Sequence, residues 1–167
     1  MNKKAQAWGM DLAVAAAIFS LGIVTFYIYT LNSSTETEEG LDKLVYQAEV
    51  VASQLFSEGS PANWNSSNVI RIGILTDSKV DEDKLIELYE LVNSDYKRTQ
   101  RLFNTEYGYY IEFSHPLEAG EYSISGVGDP AINSIEDVSS TNLIKVTRFT
   151  SYKGDLVTVY VYLWGER

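Results

Sequence analysis

The chain has 167 residues, 45% of them hydrophobic and 13% aromatic, and sets 13 basic side chains against 23 acidic ones for a net charge of −10. That composition favours a folded core over disorder, and the charge argues against nucleic acid or an anionic lipid surface as a partner. There is no cysteine, so neither a disulfide framework nor a thiolate metal site exists.

The stretch from Leu12 to Leu31 reads LAVAAAIFSLGIVTFYIYTL, without a charge or a proline. At ~1.5 Å per residue it spans ~30 Å, the hydrocarbon thickness of a bilayer. Its polar members Ser20, Thr25 and Thr30 can bond back to carbonyls of their own helix. Lys3 and Lys4 precede the run, and Glu36, Glu38 and Glu39 follow it. Basic residues stay on the cytoplasmic side, which predicts a cytoplasmic N-terminus and an extracellular C-terminal domain on a single-pass membrane protein. Tyr27 and Tyr29 lie near the outer end, where amphipathic rings favour the interface. The run is too long for a secretory signal peptide, and the residues from Tyr27 to Asn32 are a poor cleavage exit.

The residues just before the span are more specific. Lys3-Lys4-Ala5-Gln6-Ala7-Trp8-Gly9-Met10-Asp11-Leu12 resembles the type IV prepilin N-terminus in its archaeal form, the class III signal peptide. The resemblance covers about the first thirty residues. It implies a short basic leader ending at Ala5, a mature chain beginning at Gln6, and a membrane-embedded prepilin peptidase as the processing partner. It also implies an acidic residue a few positions into the mature chain. Asp11 fills that role at mature position six, one beyond the family's usual glutamate, and the proline common in bacterial pilin helices is missing. By residue chemistry alone, Asp11 is equally an acidic helix start set against the N-terminal dipole. Gly9, Ala13 and Ala17 recur at four-residue spacing, as do Ala16 and Ser20, and small residues so placed let apolar helices approach closely.

Asn32 to Gly40 is polar and acidic, and reads as a helix continuation or a loop with Gly40 favouring a kink or break. Leu41 to Ser57 places Leu41, Leu44, Val45, Ala48, Ala52, Leu55 and Phe56 at helical spacing, which predicts an amphipathic helix. Glu58 to Asn68 is rich in turn formers, with Trp64 positioned to pack back on the domain. Val69 to Leu75 predicts a short strand with Arg71 opposite Ile70 and Ile72. Asp81 to Asn93 predicts a helix capped by Asp81, with Glu82 and Asp83 at its positive end. A second helical piece runs from Ser94 to Phe103. Strands are predicted over Tyr107 to Phe113 and Glu121 to Ser125, and Gly126 to Thr141 reads as a loop. Leu143 to Thr150 and Leu156 to Trp164 form a hairpin about Lys153-Gly154-Asp155. Val157, Val159, Val161 and Leu163 line one of its faces, and Thr158, Tyr160, Tyr162 and Trp164 the other.

Motifs for catalysis fall short. Gly126-Val127-Gly128-Asp129-Pro130-Ala131 matches a dinucleotide fingerprint on paper, but Pro130 and Asn133-Ser134 make a poor helix start and no carboxylate follows at the right spacing. His115 is the only histidine, so histidine metal clusters are excluded. Asp77, Asp81 and Asp83 do not follow the calcium-loop order. Tyr107, Tyr109 and Tyr110 are a sugar-stacking patch or, more simply, strand packing. Of two sequons, Asn32-Ser33-Ser34 lies at the membrane edge, and Asn65-Ser66-Ser67 lies in a loop, making Asn65 the candidate N-glycosylation site.

The expected fold is α+β: a long N-terminal transmembrane or spine helix, then a small domain with an antiparallel sheet and one or two additional helices. The expected divisions are a leader at 1–5, a transmembrane or filament-core helix with its acidic connector at 6–40, and an extracellular head at 41–167 that begins with the amphipathic helix. The resemblance implies a non-enzymatic type IV pilin-like subunit that meets other subunits, or copies of itself, in a surface filament. No metal, cofactor or nucleic acid is expected, and the membrane is engaged through Leu12 to Leu31. The alternative is a single-pass anchored extracellular binding domain that never enters a filament.

Overall fold

The computed structural model describes residues 3–132, 134–140 and 142–165, and leaves the side chains of 3–8 and 32–39 outside its description. The chain divides into two compact units, Met1–Leu41 and Asp42–Arg167. Helix α1, Lys3–Leu55, contributes to both. Helical backbone is assigned through Gly40, which the sequence marks as a place for a break. A glycine inside a helix costs only about 1 kcal/mol against alanine, and the residues after it, from Leu41 onward, are good helix formers.

In the first unit, Gly9–Leu31 is a helical stretch 23 residues long with a mean hydropathy of 2.1 and no buried residue. It is the one helix among the described residues long and apolar enough to cross a membrane. Thr25 Oγ1 donates to the Leu21 carbonyl at 2.8 Å and Thr30 Oγ1 to that of Phe26 at 2.9 Å, so their hydroxyls stay satisfied without water.

The second unit is the head, a small domain with its own core. It opens with the last turns of α1. There Leu44, Ala48, Val51, Ala52 and Leu55 are buried at helical spacing. Leu41 and Val45, expected on that stripe, are about two-fifths exposed and lie off it, while the unforeseen Val51 is fully buried. A loop follows in which Trp64 is buried and its Nε1 donates to the Gly73 carbonyl at 2.7 Å. The strand expected over Val69 to Leu75 is replaced by irregular chain as far as Ile74, and only Leu75 enters a strand. Arg71 makes a single bridge with Ser60, and Ile70 faces solvent rather than the core. Gly73 explains the departure, because its Cα lies against the backbone of Ser57 and Gly59 where a Cβ would collide.

Strands β1 (Leu75–Thr76) and β2 (Lys79–Val80) make a minimal hairpin. Helix α2 covers Glu82–Leu102. Asp81 caps it, accepting from the Lys84 amide at 3.2 Å. Asp95 interrupts it with φ −150° and ψ 74°, and then caps the second piece by accepting from the Arg98 amide at 2.9 Å. The two predicted helical pieces are therefore present, divided at Asp95.

Strands β3 (Gly108–Ala119), β4 (Tyr122–Gly128), β5 (Leu143–Tyr152) and β6 (Asp155–Trp164) form an antiparallel sheet in the order β4-β3-β6-β5. A short 3-10 turn, Ile135–Asp137, lies in the β4–β5 connection. The β5–β6 turn is Lys153-Gly154 between the paired Tyr152 and Asp155. Both turn residues have positive φ, 50° and 99°, the handedness that matches strand twist in a two-residue hairpin. Val157, Val159, Val161 and Leu163 are fully buried on one sheet face and share a single core with α2 and the Asp42–Leu55 part of α1.

Two strands outrun their expected limits. β3 continues through His115 and Pro116 to Ala119, crossing a register shift between Glu112 and Leu117. β4 includes Gly126 and Gly128, which read as loop in the sequence. They are glycine because the Tyr110 ring and the β3 backbone lie where a Cβ would stand at each.

Candidate assembly surface

On α1, Gly9, Ala13 and Ala17 follow one another at ~6 Å rises along the axis, and all are exposed. Nothing lies within 4 Å of a Cβ built at Gly9. Ala16 and Ser20 are exposed as well, between the bulky Leu12, Phe19 and Ile23. The surface is apolar, notched by small residues, and none of its residues is buried. Asp11 is exposed on the same helix with no cation against it among the described residues. Lys3, Lys4, Ala5 and Gln6 have helical backbone, but their side chains lie outside the described residues. The side chain of Asn32 does too.

Asn65 is exposed in the loop before Val69. Its Oδ1 accepts from the amides of Ser67 at 2.9 Å and Asn68 at 3.2 Å, and its own amide donates to Asn68 Oδ1 at 2.7 Å. The sequon is therefore a closed turn on the surface, remote in sequence from the apolar helix.

The tyrosines do not form one patch. Tyr109 points inward, fully buried, with its hydroxyl hydrogen-bonded to Thr99. Burial pushes its phenol far above the ordinary value, so it stays protonated. Tyr110 lies on the opposite face, over the β4 glycines. Strand packing accounts for both. His115 is exposed, its Nδ1 3.2 Å from Ser114 Oγ, and it makes no ion pair with a carboxylate among the described residues. Gly126 and Gly128 lie in β4 and no helix starts at Gly128, so the glycine pattern there belongs to a strand. Among the described residues no cluster of histidine, aspartate and glutamate could hold a metal ion.

Sequence reasoning missed a cleft in the head of about 460 Å³, lined by Lys43, Gln47, Arg101, Asn104 and Tyr107 among others. Lys43 Nζ pairs with Glu106 at 2.6 Å and lies 5.8 Å from the Tyr107 ring centroid. The hydrogen bond from Lys43, then its charge, holds the Glu106 carboxyl below its usual range, and the same pair raises Lys43. Gln47 Oε1 is buried with no donor among the described residues. Nothing in the local sequence announces this site, because α1 supplies one wall and the segment after α2 the other.

No protein-family model matches the chain, and no curated protein or solved structure matches it. The chain thus has an N-terminal helix long and apolar enough to span a membrane, followed by a small globular domain.

Proposed function

We propose that the chain is a type IV pilin-like subunit of a cell-surface filament, of archaeal type, trimmed after Ala5 by a prepilin peptidase and assembled through its N-terminal helix. One observation carries this reading: Gly9–Leu31 has a mean hydropathy of 2.1 and no buried residue, while residues 42–167 bury a core of their own. A helix of that kind needs lipid or other apolar helices around it. The Lys3-Lys4-Ala5-Gln6 junction directly ahead of it supports passage from the first setting to the second. Before assembly the head is held outside the cell by the span. Afterwards the notched surface at Gly9, Ala13 and Ala17 packs against neighbouring subunits. The head is read as a structural or adhesive unit rather than an enzyme.

Shearing intact cells tests the proposal. A filament subunit leaves with the sheared material as high-mass polymer and is depleted from it when the peptidase gene is removed. A chain that stays wholly in the membrane with or without the peptidase is instead an anchored binding domain.

A further inference from the structure

Helix α2 carries opposite charge in its two halves. Before Asp95 stand Glu82, Asp83, Glu87 and Glu90, and after it stand Lys97, Arg98 and Arg101. No other stretch of the head sets three basic residues within five positions. Most other head cations are committed. Lys43 pairs with Glu106, Arg148 with Glu49 and Lys153 with Glu82, Lys84 is buried, and Lys145 covers the Tyr160 ring at 3.9 Å. The side chains of Lys97 and Arg98 have no ion-pair partner among the described residues. Arg101 reaches only Asp95, at 3.9 Å, with its side chain 70% exposed. Among the acids, Glu87 and Glu90 accept only from neutral donors, the Ser66 amide and the Tyr122 hydroxyl, so their charge is not offset.

Local helix electrostatics do not account for this layout. The dipole favours acids in the first turn and Arg101 in the last. But Asp95 starts a new helical piece, and Lys97 and Arg98 stand in its first turn, where cations are disfavoured. A chain of net charge −10 also repels its own copies, so close association requires local surfaces of opposite sign.

We propose that the ridge formed by Lys97, Arg98 and Arg101 seats a second copy of this chain, which presents the acidic first half of its own α2. The contact is head to tail, between two different surfaces, and contacts of that kind build rings where the rotation between copies closes and open helical arrays where it does not; the filament reading takes the second. The cleft beside the ridge fits the same role. Arg101 and Gln47 both line it, and the donor-less Gln47 oxygen accepts an N–H or O–H brought by the neighbour. The proposal rests on the filament reading and names where successive heads touch.

The absence of cysteine makes a direct test available. Full-length chain carrying both Arg98→Cys and Glu90→Cys is oxidised in membranes at low salt. The expected product is a ladder of dimers, trimers and higher species, lost when 1 M salt shortens the Debye length to ~3 Å. Arg98→Cys alone should give no cross-link. A dimer from that single variant, or no ladder from the double one, overturns the proposal. A second measurement guards against misfolding. Arg98→Glu with Arg101→Glu should abolish oligomers on native electrophoresis, and adding Glu87→Arg and Glu90→Arg to the same chain should restore them. Failure to restore overturns the contact. The mass of the N-terminus, read on the same samples, separates the two ideas: cleaved chain without a ladder removes the head contact alone, and a ladder of uncleaved chain removes the filament reading alone.

Discussion

The ammonium of Lys84 is buried in the head and donates to the main-chain oxygen of Leu75 at 2.9 Å. Its other two protons go to the Glu58 carbonyl at 3.0 Å and Thr76 Oγ1 at 2.9 Å. One side chain at the start of α2 thus ties down the loop after α1 and the first small hairpin. Lys84→Met keeps the length and apolar stem but strands two carbonyls, at about 1–3 kcal/mol each. The expected loss is about 2–6 kcal/mol of head stability, read as a lower urea midpoint for Trp64 burial. A change within about 0.5 kcal/mol, as for an ordinary surface substitution, would show that water replaces the ammonium at no cost.

The Lys43–Glu106 pair gives a pH signature. Glu106 titrates below its ordinary value of 4.5 because Lys43 donates to it and sits beside it. A carboxylate lowered in the native state contributes stability above its unfolded pKa and loses it as pH falls through the native one. The stability gap between the parent and Glu106→Gln should therefore be constant near neutrality, shrink below about pH 4.5, and vanish in stronger acid. Thermal midpoints of both chains across that range check this, and a gap that widens in acid would contradict it. Both side chains are largely exposed, at 59% and 71%, so the gap itself is small.

Much of this architecture is legible in the residues. The apolar span, the Asp81 cap, the division of α2 and the Lys153-Gly154 turn each rest on local chemistry that the tertiary structure leaves in place. The misreadings share a different cause. Ile70 and Ile72 look like one strand face, yet Gly73 is drawn against Ser57 and Gly59 and turns Ile70 outward. Gly126 and Gly128 look like a turn until the Tyr110 ring from the neighbouring strand is laid over them. The four-residue spacing of Gly9, Ala13 and Ala17 is legible in the sequence, and the structure adds that all three are exposed. The cleft around Gln47 and Arg101 is not legible there, because residues more than fifty positions apart build it.

If the notch is a packing surface, filling it should block assembly and spare insertion. Ala13→Leu with Ala17→Leu makes the helix more apolar, so membrane yield should hold or rise while filament yield collapses. Normal filament yield from this variant would mean that the alanines serve only as an anchor.

Asp11 tests the register of that packing. Cleavage after Ala5, as proposed, would give Gln6 a new α-ammonium ~7.5 Å along the helix from Asp11, too far for a firm contact within one chain. In the proposed filament an axial stagger would bring a neighbour's ammonium alongside instead, and in an apolar core an unpaired carboxylate costs several kcal/mol. Asp11→Asn should be cleaved normally yet fail to enter filaments, and Asp11→Glu should enter at least in part. Efficient assembly of Asp11→Asn would leave Asp11 as an acidic helix start and nothing more.

The most direct measurement is the mass of the N-terminus after co-expression with a prepilin peptidase. The account predicts a chain shortened by five residues that begins at Gln6, with processing lost when the peptidase is inactivated. A chain that keeps Met1 or Asn2 with active peptidase present would contradict it.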